Sequence, residues 1–285
     1  MSCGQSYEEK KRLSKAERAE QQRADSLALK VAVLPTLDCM PIYVAKERGF
    51  FDSLRVDVRL RCFNAQMDCD TALMRERVEG SVSDLIRTER MQRRGTALRY
   101  VAATNAYWQM ISNRLARIKE VKQLSDKMIA MTRYSATDYL STLAIDSAKP
   151  KYDVYRVQIN DVHVRLHMLL NNEMDAMMLT EPQATTARLM KHQVLSDSRH
   201  NDIRLGVIAF REKALADKRR QTQLATFLKA YNQACDSLNT RGLVYYSGII
   251  EKYCKADEKT IKALPKMNFS HATLPREKDI ARAKK

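Results

Sequence analysis

Glycine and proline are scarce in this chain, 7 and 6 of 285 residues, which excludes collagen-like and low-complexity classes, since those are built on the two. Long apolar runs are missing as well. None approaches the ~20 residues of a bilayer-crossing helix, so nothing here spans a membrane as a helix. The six cysteines form no Cys-x-x-Cys, and the five histidines form neither His-Glu-x-x-His nor a pairing with cysteine at zinc spacing. Those patterns lead to no expected metal site. Acidic residues are the minority, 34 against 50 Lys and Arg, which leaves a formal charge of +16. Such a balance suits a nucleic acid, an anionic membrane or an anionic solute. The basic residues are spread along the chain, however, and aromatics are not interleaved with them as a stacking platform requires, so nucleic acid is not expected as a partner.

What is present reads as a globular α/β chain long enough for two ordinary domains. Residues 5–28 are mostly Glu, Lys, Arg, Gln, Ser and Ala; they can form a solvated helix but have no apolar face to bury, and 1–28 reads as a flexible tether. Ser2-Cys3-Gly4 ahead of it looks like the end of a bacterial lipoprotein signal, which makes Cys3 a lipid anchor; the alternative is that Met1 is the natural start and Cys3 an accident of a flexible tail. Lys30-Val31-Ala32-Val33-Leu34, stopped by Pro35, reads as a buried strand, and a helix follows that ends at Gly49. Val56, Val58, Leu60 and Cys62 alternate with Asp57, Arg59 and Arg61, the period of a strand with one face in water, at or near a sheet edge. Helices over 65–78 and 84–94 and a strand over 98–103 come next. A second series has strands at 127–131, 152–159 and 175–179 and helices at 136–148, 162–171 and 183–190. Strands alternating with helices predict parallel βα units, here in two α/β lobes. Residues 203–210 read as one further strand, followed by helix to about 264 and an irregular basic tail.

In open α/β sheets ligands gather beyond the carboxyl ends of the strands, where helix N-termini present unpaired N–H groups. The turns there supply Thr36, Asp38 and Cys39; Asn64, Gln66 and Asp68; Ser83 and Asp84; Asn105; Arg133, Ser135 and Thr137; Asn160; and Glu181. Ser135 and Thr137, helped by Arg133, could hold a phosphate, sulfonate or carboxylate; equally, Ser135 with Asp138 is a plain capping box. Asp38, Asp68, Asp84 and Glu181 would suit an amine or a protonated aminopyrimidine, although Asp84 also fits a helix cap. Cys39, Cys62 and Cys69 fall near the ends of the first two strands, where burial, a disulfide or a soft-metal site all fit and burial is the expectation. No nucleophile, base and orienter can be assembled, so no catalytic residue is assigned.

The stretch from Val31 to Pro35, leading through Pro41-Ile42-Tyr43-Val44-Ala45-Lys46-Glu47-Arg48-Gly49-Phe50-Phe51, is followed by Gly80 to Asp84, by Ser135 at a helix start and by Asp175-Ala176 leading into Glu181-Pro182. In that order these segments resemble the type II periplasmic solute-binding proteins of ABC transporters, in the branch with nitrate, taurine, alkanesulfonate and thiamine-pyrimidine-like binders. The resemblance covers about residues 29–265. It implies a two-lobe fold, each lobe a mostly parallel sheet flanked by helices, with the ligand cleft between the lobes and chain crossings near 105–114 and 203–210. Lobe one then comprises 29–110 and 206–285, and lobe two 111–205. The implied function is capture of a small polar solute by hinge closure, in the periplasm or at the cell surface, for delivery to permease subunits. A single chain would do this without cofactor or catalysis. The rival within the same resemblance is a thiamine-pyrimidine-synthase-like enzyme, which would need iron or a pyridoxal cofactor; this chain lacks the consecutive cysteines of that kind. Relatives carry Gly-Ser before the second-lobe helix where this chain has Tyr134-Ser135, which counts against a tight backbone nest for an oxyanion.

Overall fold

The computed structural model describes residues 15–284. Ten strands form two five-stranded sheets. The first is ordered β2-β1-β3-β10-β4, from β1 (Leu29–Val33), β2 (Val58–Cys62), β3 (Gly80–Asp84), β4 (Leu98–Ala103) and β10 (Gly206–Arg211). The second is ordered β7-β6-β8-β5-β9, from β5 (Gln109–Ser112), β6 (Met128–Met131), β7 (Tyr155–Gln158), β8 (Ala176–Leu179) and β9 (Gln193–Asp197). In each sheet the βα units pair parallel, β1 with β2 and β3, β6 with β7 and β8. One strand that enters from elsewhere in the chain pairs antiparallel on both sides, β10 in the first sheet and β5 in the second.

Strand β1 is buried except at Lys30, as an interior strand covered on both faces is, which is why it reads as a nearly continuous apolar run. The alternating strand β2 lies at the sheet edge, with Val58 and Leu60 inward and Arg59 and Arg61 partly in water. Against the first sheet packs the long helix Lys218–Arg241, whose Phe227 stacks on Phe51 at 5.6 Å and meets Phe210 of β10 edge-on at 5.9 Å. Met174, Met177 and Met178, beside or within β8, are buried core.

Four expectations are corrected here. Residues 81–84 read as a turn, but they belong to β3, all of whose residues are buried; at the first position of that strand a Cβ on Gly80 would meet the Phe210 ring at 2.6 Å. Strands β5 and β9, of four and five residues with no clean alternation, carry no strand signal in the sequence. The end of the tether is not free. Residues Lys15–Leu27 are a mostly exposed helix, yet Asp25 pairs with Arg59 at 3.2 Å and with Arg61 of the edge strand, and Arg220 donates to the carbonyls of Ser26 and Leu27. Cys3 and the rest of the tether lie outside the described residues. Finally, the basic tail ends in a helix, Glu277–Lys284, which lies against the helix Leu85–Arg93.

The chain passes between sheets at residues 104–108 and 198–205. Gln109 and Met110, expected in lobe one, pair with Leu179 and Met178 of the second sheet, and the expected second crossing at 203–210 is mostly strand β10. The two crossings touch. Thr104 N–H donates to the Gly206 carbonyl at 2.9 Å, and a Cβ on Gly206 would strike Thr104 Oγ1 and come within 2.7 Å of Ala106 Cβ. Asp197 ties their lobe-two ends, accepting from Gln109 Nε2 at 2.6 Å and from Arg199 N at 2.9 Å. The C-terminal segment straps both from outside: Ala103 N–H donates to Thr273 O at 2.6 Å, Asn105 Nδ2 to Asn268 O, and Arg276 and Lys278 pair with Asp202.

Gly206→Ala is expected to destabilise the protein by about 1–3 kcal/mol, the range for overpacking a filled site, read as a lowered urea midpoint. Burial pushes the Asp197 carboxyl up, but hydrogen bonds from Arg199 and Gln109 outweigh it and hold it below the ordinary carboxylate range. A depressed folded-state pKa contributes stability above the unfolded value of about 3.9 and loses it as pH falls through the folded value. The stability advantage of wild type over Asp197→Asn, clear at neutral pH, should therefore shrink as denaturation is repeated below about pH 4.

Candidate functional site

The lobes meet face to face beyond the carboxyl ends of β1 and β8. Leu37 N–H donates to the Glu181 carbonyl at 2.9 Å, Gln183 Nε2 to the Pro35 carbonyl at 2.9 Å, and Val162 N–H to the Asn64 carbonyl at 3.1 Å. Behind these contacts lies a cavity of about 20 Å³, room for about one water molecule. Of the residues expected at a site, the structure gathers Thr36, Asp38, Gln66, Ser83 and Asp84 around it, all from lobe one.

Three large side chains absent from the expected set also line it: Arg87 from lobe one, Arg165 from lobe two and Trp108 from the first crossing. Arg87 is 3% exposed and sits between two carboxylates, 2.9 Å from Asp70 and 3.6 Å from Asp84, while its Nη2 donates to Ser83 Oγ at 2.7 Å. Asp84 caps the helix Leu85–Arg93 by accepting from Arg87 N–H at 3.0 Å. Burial pushes its carboxyl up against the pull of the Arg87 charge. Asp70 is likewise pushed up by burial, to about 6, with Arg87 opposing. Asp38 is raised by burial and accepts from Thr104 Oγ1 at 3.2 Å. Arg165, on the first turn of the helix Val162–Leu170, is 2% exposed. Burial pulls its guanidinium down to about 10, which leaves it a cation at neutral pH. Its Nε and Nη1, the Nε and Nη1 of Arg87, and Gln66 Oε1 are buried without a hydrogen-bond partner.

The other expected residues lie elsewhere. Ser135 Oγ donates to Thr132 O at 2.7 Å and accepts from Thr137 N–H at 3.1 Å, while Thr137 Oγ1 accepts from Thr132 N–H at 2.9 Å. Both hydroxyls are thus spent on holding the turn before the helix Ala136–Ala148, and Arg133 is exposed beside them. Glu181 is buried but saturated, accepting from Tyr107 OH, Thr185 and Arg188. Asp68 is exposed, Asn64 and Asn160 stand at the cleft rim, and Asn105 serves the C-terminal strap. Cys39 and Cys69 are buried thiols of the lobe-one core, and Cys62 is exposed at the end of β2. No cluster of metal-ligating side chains occurs among the described residues.

A signal for the missed arginines existed in the helical period. Arg165 falls on the stripe of Val162, Leu166 and Leu169, and Arg87 on that of Asp84, Thr88 and Met91, all buried positions. A charged residue inside a buried stripe rarely goes unpaired.

Solved structures with this arrangement are found among transport receptors. A ligand-binding component of an ABC-type import system from Staphylococcus aureus, solved with zinc bound, superposes with a TM-score of 0.75 at 13% identity, over 90% of each chain. The alkanesulfonate-binding protein SsuA of Xanthomonas axonopodis pv. citri, bound to MOPS, gives 0.72 at 15% identity over 90% of each. The periplasmic nitrate-binding protein NrtA of Synechocystis gives 0.70 at 13% identity, over 82% of this chain and 68% of that one. No curated protein matches the sequence. The likeness establishes the two-lobe periplasmic-binding-protein fold expected from the sequence, and the match of residues 36–239 to the NMT1/THI5-like family shows that the chain belongs to that family.

Proposed function

We propose that this protein is the solute-binding component of an ABC-type importer, which captures one small polar solute between its lobes outside the cytoplasm and presents it to permease subunits in the membrane. The observation that carries this reading is the convergence of buried, hydrogen-bond-hungry side chains from both lobes on one cavity spanned by only two chain crossings. A space of about 20 Å³ admits no solute larger than about one water, so entry requires the lobes to part. Two adjacent crossings allow a rotation that leaves both sheets intact. The resemblance to sulfonate- and nitrate-binding receptors supports the same reading. In this proposal a single chain is the working unit and the lipid anchor is on Cys3.

The receptor reading is favoured over a pyrimidine-synthase-like enzyme by the chemistry of the thiols. Burial pushes Cys39 well above its ordinary value and Cys69 to about 12, so neither presents a nucleophilic thiolate at neutral pH.

Native mass spectrometry of freshly purified protein is expected to show one small molecule per chain, and its removal should enlarge the radius of gyration in solution scattering. Absence of any bound molecule together with an unchanged radius would overturn the proposal. The intact mass of the cell-made protein tests the anchor, since a diacylated Cys3 adds two acyl chains.

A further inference from the structure

We propose that Arg90 and Tyr134 form a clasp across the cleft, a cation–π contact that holds the two lobes together in the absence of solute. The clasp belongs to the solute-free chain and is independent of which solute the cleft takes.

Arg90, on the helix Leu85–Arg93 of lobe one, places its guanidinium 3.7 Å from the centroid of the Tyr134 ring, which belongs to the lobe-two turn before the helix Ala136–Ala148. Arg90 is partly buried, which disfavours its charge, and the neighbouring cations Arg93 and Arg94 of its own helix do the same. The carboxylate that acts on it, Asp70, is already paired with Arg87 at 2.9 Å. What faces the guanidinium directly is the electron-rich face of the tyrosine, a recognised partner for a cation short of counter-charge.

The ring is aimed by an unusual backbone. Tyr134 has a φ of +58°, and of the ten described non-glycine residues with positive φ it is the only aromatic; the other nine are charged residues or Asn. The left-handed region is costly for an L residue, and more so for a bulky one, so it persists where surrounding contacts favour it. One such contact is local, Tyr134 N–H donating to Asp138 Oδ2 at 2.9 Å. Core packing is not the other, since Tyr134 is 52% exposed. The contact its side chain makes is with the opposite lobe.

The pair is also placed to respond to rotation of the lobes. Leu85 N–H donates to the Leu205 carbonyl of the second crossing at 2.9 Å, so the helix that carries Arg90 starts at the hinge. Leu85 and Ala136 share an apolar cluster there. Arg90 stands about 7.5 Å further along the helix axis, where parting the lobes would draw the guanidinium off the ring and leave each sheet intact. A cation–π contact at such a partly exposed place is enough to shift the ratio of closed to open forms about two- to fivefold.

Hydrogen exchange on the full chain, after removal of any copurified solute, tests the clasp without a ligand. The Leu37 and Val162 amides bond across the cleft to the Glu181 and Asn64 carbonyls and report parting of the lobes, whereas the amides of β10, an interior strand of the first sheet, report global unfolding. Tyr134→Gly, which also relieves the left-handed backbone, and Arg90→Met are each expected to speed exchange at Leu37 and Val162 about two- to fivefold, with no faster exchange in β10. Tyr134→Phe, which keeps the ring, is expected to match wild type, and the double variant Arg90→Met with Tyr134→Gly to match the single ones, since both remove the same contact. Unprotected Leu37 and Val162 amides in wild type, wild-type exchange in either single variant, equal acceleration in β10, or a Tyr134→Phe protein that behaves as Tyr134→Gly would each overturn the clasp. Solute capture would stand after any of these results, because it fails only by the mass and scattering measurements.

Discussion

The organisation of this protein depends on the placement of β10 in the first sheet. This strand arrives from the second lobe and pairs antiparallel with β3 on one side and β4 on the other. Its six residues are all buried. Because β10 holds an interior position, the first sheet is complete only with a strand that lies beyond the second lobe in the chain. Two crossings are then unavoidable, and they lie side by side. Phe210 and Gly206, both on this strand, show how little room remains: the ring of one fills the space above Gly80, and the other lies against Thr104 and Ala106. The hinge, the discontinuous first lobe and the position of the cleft all follow from one strand being threaded between two others.

On that frame the cleft is a problem in buried charge. Lobe one has solved its part internally by seating Arg87 between Asp70 and Asp84. Such a cluster is weak evidence for stability, since desolvation takes back much of what the attraction supplies. It does fix the orientation of Arg87 and Ser83 at the cavity. Lobe two contributes Arg165 with no such partner. The direct contacts between lobes, from Leu37 to Glu181 and from Gln183 to Pro35, are neutral hydrogen bonds, each of modest net worth. Apolar packing joins the lobes as well: Leu85 and Val207 of lobe one share a cluster with Met110, Ile129 and Ala136 of lobe two, and Arg90 lies over the Tyr134 ring at 3.7 Å.

Much of the fold was legible because local pattern carried it. The parallel βα units announce themselves by alternation of strand and helix, β1 by its apolar run, β2 by its period of two. The antiparallel intruders were harder. β5 and β9 are short, and β3 has Gly, two Ser and Asp around a single Val, close to a turn composition in isolation; only Phe210, distant in sequence, explains the glycine at position 80. At the site, five of the thirteen lining residues were legible from the rule that ligands gather beyond strand ends, which picked out Thr36, Asp38, Gln66, Ser83 and Asp84. The same rule also collected Ser135, Thr137 and Glu181. Their polar atoms are consumed by their own turns, a matter of hydrogen-bond partners that spacing does not reveal.

The amino-acid sequence by itself determined the fold class, the two series of βα units and the polar character of the strand-end turns, because each of those properties is set by residues within a few positions of one another. Tertiary structure alone decided which of the polar groups have their hydrogen bonds supplied by the protein and which do not. Arg87 and Arg165 look alike in the chain, each in a buried helical stripe. Their difference, one between two carboxylates and the other with none in salt-bridge reach among the described residues, exists only once the chain is folded, since charge compensation is a property of spatial neighbours.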